Sequence, residues 1–574
     1  MHTKKNIQCW PKYFPALISG FFLTLSFPDA GLSYLVFFAL IPLLVSMQSM
    51  TYKESFYAGF ITGIAFFLTL IYWIVPTINV YGGLNLILAV GVLTLLCFYL
   101  ALYPAIFTFT LKKFIFPEQT SLKTAFLNNL QSLYLVPVLT ACVWVSLEYI
   151  RTYAFTGFSW GVLGYSQFKN LNLIQIADFT GVYGVSFLII LVNSSLALFF
   201  IHFKTGLKKQ YIFPIIYTFA LVAGTYIYGN IKINDIDSQI EKAQKTKITI
   251  IQGNIKQDLK WSNEFKLGTI KKYIQLSKSQ IKKQPDLVIW PETALPFYYG
   301  VEHDFSKQVD ECVKTVKTNF LIGSPAFEPA LKPALKPDGK DIRFYNRAYM
   351  LDQFSNIQKI WDKHHLIPFG EYVPFGKLLG FLGKITAQAG NFSPGEQAFL
   401  PLEFKNYDQL ASSKSKVTSK LMATHNLKVT RNLKVTCKTG VLICFEILFP
   451  HISTKFVKNG AGILTTITND AWFGYSSAAM QHFSIAVFRA VENHRTMARA
   501  ANTGISGFID PKGEIIETTS LFTDKAITRQ VPVLSDISFY TKYGDVLAIT
   551  SILAICMIFM LKGLKNRGKN QEIK

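Results

Sequence analysis

The sequence predicts a polytopic α-helical membrane bundle of about eight transmembrane helices that carries an α/β domain. Half of the 574 residues are hydrophobic, Phe alone numbers 49, only 16% are charged and the mean hydropathy is +0.28, which is unusually apolar for a soluble protein. Apolar stretches of about 20 residues, the length that crosses a hydrocarbon core, recur through the first 230 positions. Between about 245 and 535 they give way to short β-rich runs and amphipathic stretches.

Seven apolar stretches precede position 230, and an eighth lies near the end of the sequence. The first ends early at Pro28 and follows Lys4 and Lys5, as a signal peptide would, but no small-residue cleavage site follows it. We therefore predict a seven-helix bundle over 1–230 and a final helix before a short tail at 563–574. The predicted spans are 12–29, 32–50, 56–76, 84–111, 133–154, 178–202, 211–229 and 546–562.

The basic residues predict the orientation of the bundle. They fall at both ends of the sequence and in alternate loops, whereas the loops at 28–33 and 76–83 carry none. Because loops rich in Lys and Arg stay in the cytoplasm, we expect both termini there. The domain at 245–535 then lies on the periplasmic face of a bacterial inner membrane.

Charge and cysteine content exclude several classes of protein. The net charge of +23 is spread over loops and termini rather than gathered on one helix or arm, so we expect contact with membrane lipid and none with nucleic acid. The seven Cys residues are scattered without a CxxC pair, which indicates neither a zinc site nor a disulfide framework. We expect no metal and no cofactor.

The alternation of strand-like and helix-like segments over 245–535 predicts an α/β domain. The amphipathic stretches are 262–284, 303–317 and 477–501, and two polar, repetitive segments at 329–337 and 404–438 are predicted to be surface insertions. The strand candidates are KITIIQGNI, DLVIWPE, NFLIGSPAF, RAYMLDQ, KTGVLICFE, GILTTITND and ISGFIDPKG.

Three residues stand where catalytic groups are expected. Cys444 ends the apolar run VLIC at a strand-to-helix elbow, where backbone N–H groups can lower a thiol pKa and donate to an oxyanion. Glu292 ends DLVIWPE at the carboxyl end of a strand, and Lys363 precedes Glu371 by eight residues in a segment rich in aromatics and prolines. Taken singly, each has a plainer explanation: a core cysteine, a capping glutamate and a surface lysine.

The order of four segments is more specific than any one residue. WPET, DKHHLIPFGEYVPF, GVLICFEILFP and TNDAWFG follow one another in this order. Together they resemble the nitrilase superfamily, whose members share Glu, Lys and Cys in that chain order within an αββα sandwich. Seven helices before such a domain and one after it resemble the membrane-embedded branch of that superfamily, the apolipoprotein N-acyltransferase family, over essentially the whole chain.

The resemblance implies a role for each residue of the triad. Glu292 would be the general base for Cys444, and Cys444 would form a thioester. Lys363 would steady the oxyanion together with the amide N–H of Phe445. Of the two further acidic positions, Glu371 and Glu446, one would hold the lysine and orient the thiol region without transferring protons.

Other matching positions are expected around the substrate pocket. Trp261 matches a family Trp near the acyl site, and Asn469, Asp470 and Trp472 of TNDAWFG would form a loop at the pocket rim. His482 begins the next helix, and we expect it to be structural.

The implied reaction is an acyl transfer in two steps. A glycerophospholipid, phosphatidylethanolamine by expectation, would give its acyl chain to the thiol. The thioester would then pass the chain to the α-amino group of the N-terminal S-diacylglyceryl-cysteine of an apolipoprotein, with the enzyme acting as a monomer. A membrane-tethered nitrilase-type amidase, with water as acceptor, is the nearest alternative. A transporter or sensor with a ligand-binding domain is the second, although no internal repeat is seen.

Overall fold

The protein is described here by a computed structural model in which two compact units are distinguished. The first comprises Met1–Asn79, Leu84–Ile233 and Tyr543–Lys574, and the second comprises Val80–Gly83 and Asn234–Lys542. The predicted insertions at 329–337 and 404–438 lie almost wholly outside the described residues. Those are 9–115, 130–203, 212–257, 263–329, 342–372, 392–396, 398–406 and 436–572.

The first unit is helical. Three helices, Leu86–Ile115, Tyr134–Tyr153 and Val182–Phe203, are long and apolar enough to cross a membrane, and Tyr52–Leu70 with Ile74–Tyr81 makes a fourth if this pair, bent by 59°, is one span. A membrane bundle of at least three spans is thus supported, and the count of eight stays a prediction. The main helices are Cys9–Leu25, Ile41–Ser46, Tyr52–Leu70, Leu86–Thr110, Leu130–Tyr153, Val182–Phe203, Phe213–Lys242 and Val546–Glu572, with short ones at Ile74–Pro76, Leu171–Ile174 and Ala177–Thr180.

The predicted span 32–50 is helical but is not one regular α-helix. The segment breaks into a 3₁₀ turn at Ser33–Phe37, the short helix Ile41–Ser46 and a second 3₁₀ turn at Met47–Ser49. Pro42, near the start of the short helix, has no N–H to continue an earlier turn. The N–H of Leu40 donates instead to Asn193 Oδ1 at 2.8 Å, so a neighbouring side chain satisfies the interrupted backbone.

Two glycines let the helices Tyr52–Leu70 and Leu86–Thr110 touch. A Cβ on Gly59 would lie 2.3 Å from the carbonyl oxygen of Pro104, and one on Gly63 would lie 2.6 Å from the Cα of Ala101. The spacing is the GxxxG pattern by which membrane helices pack closely.

The second unit contains two six-stranded sheets. Their strand orders are β12-β1-β2-β3-β4-β5 and β11-β10-β9-β8-β7-β6. The strands are β1 Gln244–Gln252, β2 Leu287–Ile289, β3 Asn319–Pro329, β4 Ile342–Leu351, β5 Ile357–Asp362, β6 Leu402–Lys405, β7 Thr436–Ile443, β8 Ile463–Thr468, β9 Thr496–Ala501, β10 Gly507–Ile509, β11 Ile515–Thr518 and β12 Lys525–Val533.

Helices cover both sheets. Strands β1 and β9 face each other across the two sheets, helices Asn263–Lys278 and Ala478–Asn493 contact β1 and β9 respectively, and Pro450–Lys458 contacts β7. Helix His303–Val316 packs beside Asn263–Lys278. The predicted αββα layering is therefore confirmed.

All seven strand candidates form strands, but the stretch 477–501 is not one amphipathic element. Its helix ends at Asn493, His494 follows with a φ of +50°, and β9 then pairs with β8 and β10. Strand β9 is buried on both faces, including Arg499. In the sequence, the charge of Arg499 indicates the polar face of a helix. In the fold, Asp470 binds this charge inside the domain.

Trp290 anchors one face of the first sheet. Its ring stacks on Tyr273 at a centroid distance of 5.0 Å, its Nε1–H donates to Ser277 Oγ at 2.9 Å, and Phe320 meets it edge-on. Tyr273 and Ser277 lie on one helix, and Phe320 lies on β3. The cluster therefore fixes Trp290, which directly follows β2 and precedes Glu292 by two residues.

We expect Phe320→Ala to destabilise the second unit by about 3–5 kcal/mol, the usual cost of deleting a buried aromatic ring. The apparent melting temperature of the detergent-solubilised protein should fall by several degrees. Phe354→Ala is the matched control, because Phe354 is 60% exposed and Phe320 is fully buried. Equal melting temperatures for the two variants would contradict this account of the core.

Candidate active site

Four polar residues meet where strands of the two sheets end. Glu292 follows β2, Lys363 follows β5, Cys444 follows β7 and Asn469 follows β8. All four are buried. The structure thus brings the predicted triad of Glu, Lys and Cys together at one edge of the sandwich.

The carboxylate of Glu292 is held by three hydrogen-bond donors. Asn346 Nδ2 and Lys363 Nζ lie 2.7 and 3.3 Å from Oε1, and the backbone N–H of Asn469 lies 2.9 Å from Oε2. The donors come from β4, from the end of β5 and from the loop after β8. The position of this carboxylate therefore depends on both sheets.

The ammonium of Lys363 is bound between two carboxylates. Its Nζ lies 2.9 Å from Glu371 Oε1 and 3.3 Å from Glu292 Oε1. Burial alone would lower the pKa of Lys363, but the charges of Glu371 and Glu292 outweigh it and raise that pKa above its ordinary value. The lysine is a permanent cation, able to stabilise a developing oxyanion.

Cys444 occupies a strained elbow. It has a φ of +52°, a left-handed conformation that is costly for a residue with a Cβ, and a 3₁₀ turn over Cys444–Leu448 follows. Burial raises the pKa of its thiol, the charge of Glu292 raises it further, and Lys363 only partly offsets both. The expected lowering of the thiol pKa by the elbow is wrong, because the buried setting disfavours the thiolate. A base beside the thiol is needed.

Glu446 joins the elbow to the segment that carries the lysine. Its Oε1 accepts from the backbone N–H groups of His364 and His365 at 2.6 and 3.2 Å. Its Oε2 accepts from the N–H of Ile443 at 2.7 Å and from Trp361 Nε1 at 3.3 Å. Burial raises the pKa of Glu446 to about 7, against the lowering effect of these donors. With both oxygens bound to the protein, this carboxylate holds two segments in register.

The remaining predicted residues take different places. Phe445 is half-buried, its ring near His365, and Trp472 is half-buried, edge-on to Tyr81 of the same unit at 5.4 Å. Asp470 was expected at the pocket rim, but it is buried. Trp261 lies outside the described residues.

Sequence reasoning missed Asn346. Its Nδ2 donates to Glu292 Oε1 at 2.7 Å and to Glu371 Oε1 at 3.2 Å, so one amide bridges both carboxylates around the lysine. A polar residue beside the apolar run RAYML was the available signal. As for metals, no group of three or more His, Cys, Asp or Glu that could hold an ion is found among the described residues.

The arrangement has a definite chemical capacity. A carboxylate, a buried thiol and a fixed ammonium suit proton removal from sulfur, attack on a carbonyl carbon and stabilisation of the resulting oxyanion.

Two family models match the sequence, one in each part of the chain. The model of the apolipoprotein N-acyltransferase N-terminal domain matches residues 19–195. The carbon-nitrogen hydrolase model matches residues 247–536. The second match includes all three residues of the triad.

The chain is similar over nearly its whole length to proteins named apolipoprotein N-acyltransferase. The chain is similar to the apolipoprotein N-acyltransferase of Geobacter metallireducens, with 37% identity over 96% of this chain and 95% of the relative. It is also similar to that of Shewanella oneidensis, with 29% identity over 97% and 96% of the two chains. Among solved structures, a carbon-nitrogen hydrolase from Helicobacter pylori matches 50% of this chain and 89% of its own, with 13% identity and a TM-score of 0.33.

We expect Gly323→Ala to slow alkylation of Cys444 by iodoacetamide by about tenfold or more, since a displacement of about 1 Å in an active site costs up to about 100-fold. A Cβ on Gly323 would lie 2.5 Å from the Pro291 carbonyl oxygen and 2.8 Å from the Cα of Glu292, so Glu292 must move. Gly268→Ala is the control, because a Cβ there meets open space. Unchanged alkylation in Gly323→Ala would show that the thiol does not depend on this carboxylate.

The pKa of Glu446 predicts a pH dependence of stability. Because that pKa is about 7 in the folded protein against an ordinary value of 4.5, the folded state holds the proton more tightly and loses stability as pH rises between these values. The apparent melting temperature of the wild type should fall relative to Glu446→Gln from pH 5 to pH 8. A difference that stays flat or grows in favour of the wild type would contradict the raised pKa.

Proposed function

The chain belongs to the apolipoprotein N-acyltransferase family, and from this membership we propose that it transfers a fatty acyl chain from a glycerophospholipid to the α-amino group of the N-terminal S-diacylglyceryl-cysteine of a lipoprotein. The transfer matures the lipoprotein. One observation carries the proposed mechanism: Lys363 bound between Glu371 and Glu292, with its charge and that of Glu292 acting on the buried thiol of Cys444.

In the first half of the proposed reaction, Glu292 takes the proton of Cys444 and the thiolate attacks the acyl ester carbon of the phospholipid. The oxyanion that forms is stabilised by Lys363 and by the N–H of Phe445. The intermediate collapses with cleavage of the ester C–O bond, and Glu292 returns the proton to the departing oxygen. A lysophospholipid leaves and a thioester remains on Cys444.

In the second half, the amine of the lipoprotein attacks the thioester carbon. Glu292 removes a proton from the nitrogen, the C–S bond breaks, and the proton passes to the sulfur. An amide is formed and the free thiol is restored. Glu371 and Asn346 act as positioning residues, because their contacts are to Lys363 and Glu292.

Burial of Cys444 favours acyl transfer between lipids over a tethered amidase. With its pKa raised by burial, Cys444 becomes nucleophilic only when the base acts on it, and burial also keeps water from a thioester once formed. The helical unit, with at least three possible spans, holds the enzyme in the bilayer that contains both lipid-linked substrates.

The proposed setting is the bacterial inner membrane. The alternation of basic loops supports eight spans, cytoplasmic termini and a catalytic domain at 245–535 on the periplasmic face. Phosphatidylethanolamine is the proposed acyl donor, and the proposed active form is a monomer.

The full-length protein, purified in detergent and mixed with phosphatidylethanolamine vesicles, should gain one acyl chain on Cys444. The adduct should be sensitive to hydroxylamine, should discharge to a diacylated lipopeptide and should persist in buffer. Glu292→Gln should slow its formation by about 100-fold or more, as expected for loss of a general base. Mass spectrometry of the intact protein and its peptides measures all of these.

Cys312→Ala serves as the matched control for Cys444→Ala, since Cys312 is also buried in this unit but lies on the helix His303–Val316. Cys312→Ala should acylate normally and Cys444→Ala should not acylate. Rapid discharge of the adduct to water would instead favour the tethered amidase.

A further inference from the structure

Three charged or titratable residues lie behind Cys444, outside the proposed catalytic groups. Asp470, His482 and Arg499 come from the loop after β8, from the helix Ala478–Asn493 and from β9, and their exposed fractions are 2%, 1% and 0%. Arg499 Nη2 lies 2.8 Å from Asp470 Oδ2 and 3.0 Å from His482 Nδ1. His482 Nδ1 lies 3.1 Å from Asp470 Oδ1.

The other ring nitrogen of His482 reaches the nucleophile's backbone. Nε2 lies 3.3 Å from the carbonyl oxygen of Cys444. Because a carbonyl oxygen only accepts, Nε2 carries the proton in this contact, and Nδ1 is left to accept from Arg499. Burial, followed by the charge of Arg499, lowers the pKa of His482, in keeping with a neutral ring.

Because the peptide bond is planar, this contact also fixes the direction of an N–H group at the active site. The peptide between Cys444 and Phe445 is trans, so its C=O and N–H point in opposite directions. When His482 holds the carbonyl oxygen from behind, the N–H of Phe445 is directed to the opposite side of the elbow. No described residue accepts a hydrogen bond from that N–H. An oxyanion is the acceptor that the proposed reaction supplies.

The elbow needs such a restraint. Cys444 sits at a φ of +52°, a conformation that persists only where surrounding contacts enforce it. Asp470 in turn is fixed by Thr468 Oγ1 at 2.8 Å and by Arg499, and Gly504 leaves it room, since a Cβ there would lie 2.2 Å from Asp470 Oδ2.

We propose that His482, held by Arg499, which in turn binds Asp470, is a positioning residue that locks the Cys444–Phe445 peptide so that the Phe445 N–H is an oxyanion donor. The inference rests on the proposed function, because it assigns a part in the same acylation. This role affects the acylation of Cys444 but not its alkylation. Attack on a carbonyl needs the donor, whereas alkylation of the thiol by iodoacetamide develops no oxyanion and needs only the base.

The test compares these two reactions in full-length variants. His482→Leu should slow acylation of Cys444 from phosphatidylethanolamine by about 100-fold, the lower end of the loss seen when an oxyanion donor is removed. Its rate of alkylation by iodoacetamide should stay within about threefold of the wild type. His482→Gln should recover most of the acylation rate, because its side-chain amide can still donate to the Cys444 carbonyl.

Two further variants test the network without altering His482. Gly504→Ala, which displaces the Asp470 carboxylate, should slow acylation by about tenfold or more, given the sensitivity of active sites to small displacements. Ser484→Ala is the matched control on the same helix. Ser484 is buried but donates to the Gln481 carbonyl oxygen, away from the elbow, so both rates should be unchanged.

The outcomes are distinguishable. If the wild type acylates and His482→Leu acylates equally fast, the positioning role is overturned while the proposed function stands. If alkylation falls in His482→Leu as much as acylation does, the residue supports the fold of the elbow and the proposal is overturned. If the wild type forms no acyl-enzyme, the proposed function fails, and the inference fails with it.

Discussion

The site depends on one buried ammonium. Lys363 has lost its water, and only the carboxylates of Glu371 and Glu292 make its charge tolerable there. A buried charge without such partners costs several kcal/mol or more. Lysine and carboxylates must therefore fold into place together. Asn346, with one amide group donating to both carboxylates, fixes the spacing between them.

This constraint explains why the groups stand at strand ends. A residue just past the end of β2, β5, β7 or β8 is positioned by its strand, and functional groups carried on strands are placed more precisely than groups on loops. Glu446 adds a cross-link by accepting N–H groups from both sides of the site. The thiol of Cys444 is buried at a strained backbone position, and burial raises its pKa. Low resting reactivity is what the proposed acylation requires of Cys444, because the proposed phospholipid donor has to reach the thiol from a bilayer.

The helical unit follows a different physical rule. In lipid there is no hydrophobic drive to bring helices together, so contact depends on close packing of small residues. Gly59 and Gly63 permit that contact between two helices. Where the chain breaks at 38–41, the side chain of Asn193 accepts from the freed N–H of Leu40. In the sandwich and in the bundle alike, polar side chains thus bind buried groups: Glu446 accepts from backbone N–H groups in the former, and Asn193 accepts from Leu40 in the latter.

Composition, hydrophobic pattern and motif order were enough to predict the α/β and membrane character and seven of the strands, and they singled out Glu292, Lys363 and Cys444 as the candidate triad. Hydrophobic periodicity and the order of motifs can be read directly from the amino-acid sequence. The side chains that lie beside those residues could be identified only from the fold. Asn346, Arg499 and the buried Asp470 take part because strands distant in the chain become neighbours. The prediction of one amphipathic element over 477–501 was wrong for the same reason. A charged residue such as Arg499 is expected to face solvent, but in the fold Asp470 binds it inside the domain.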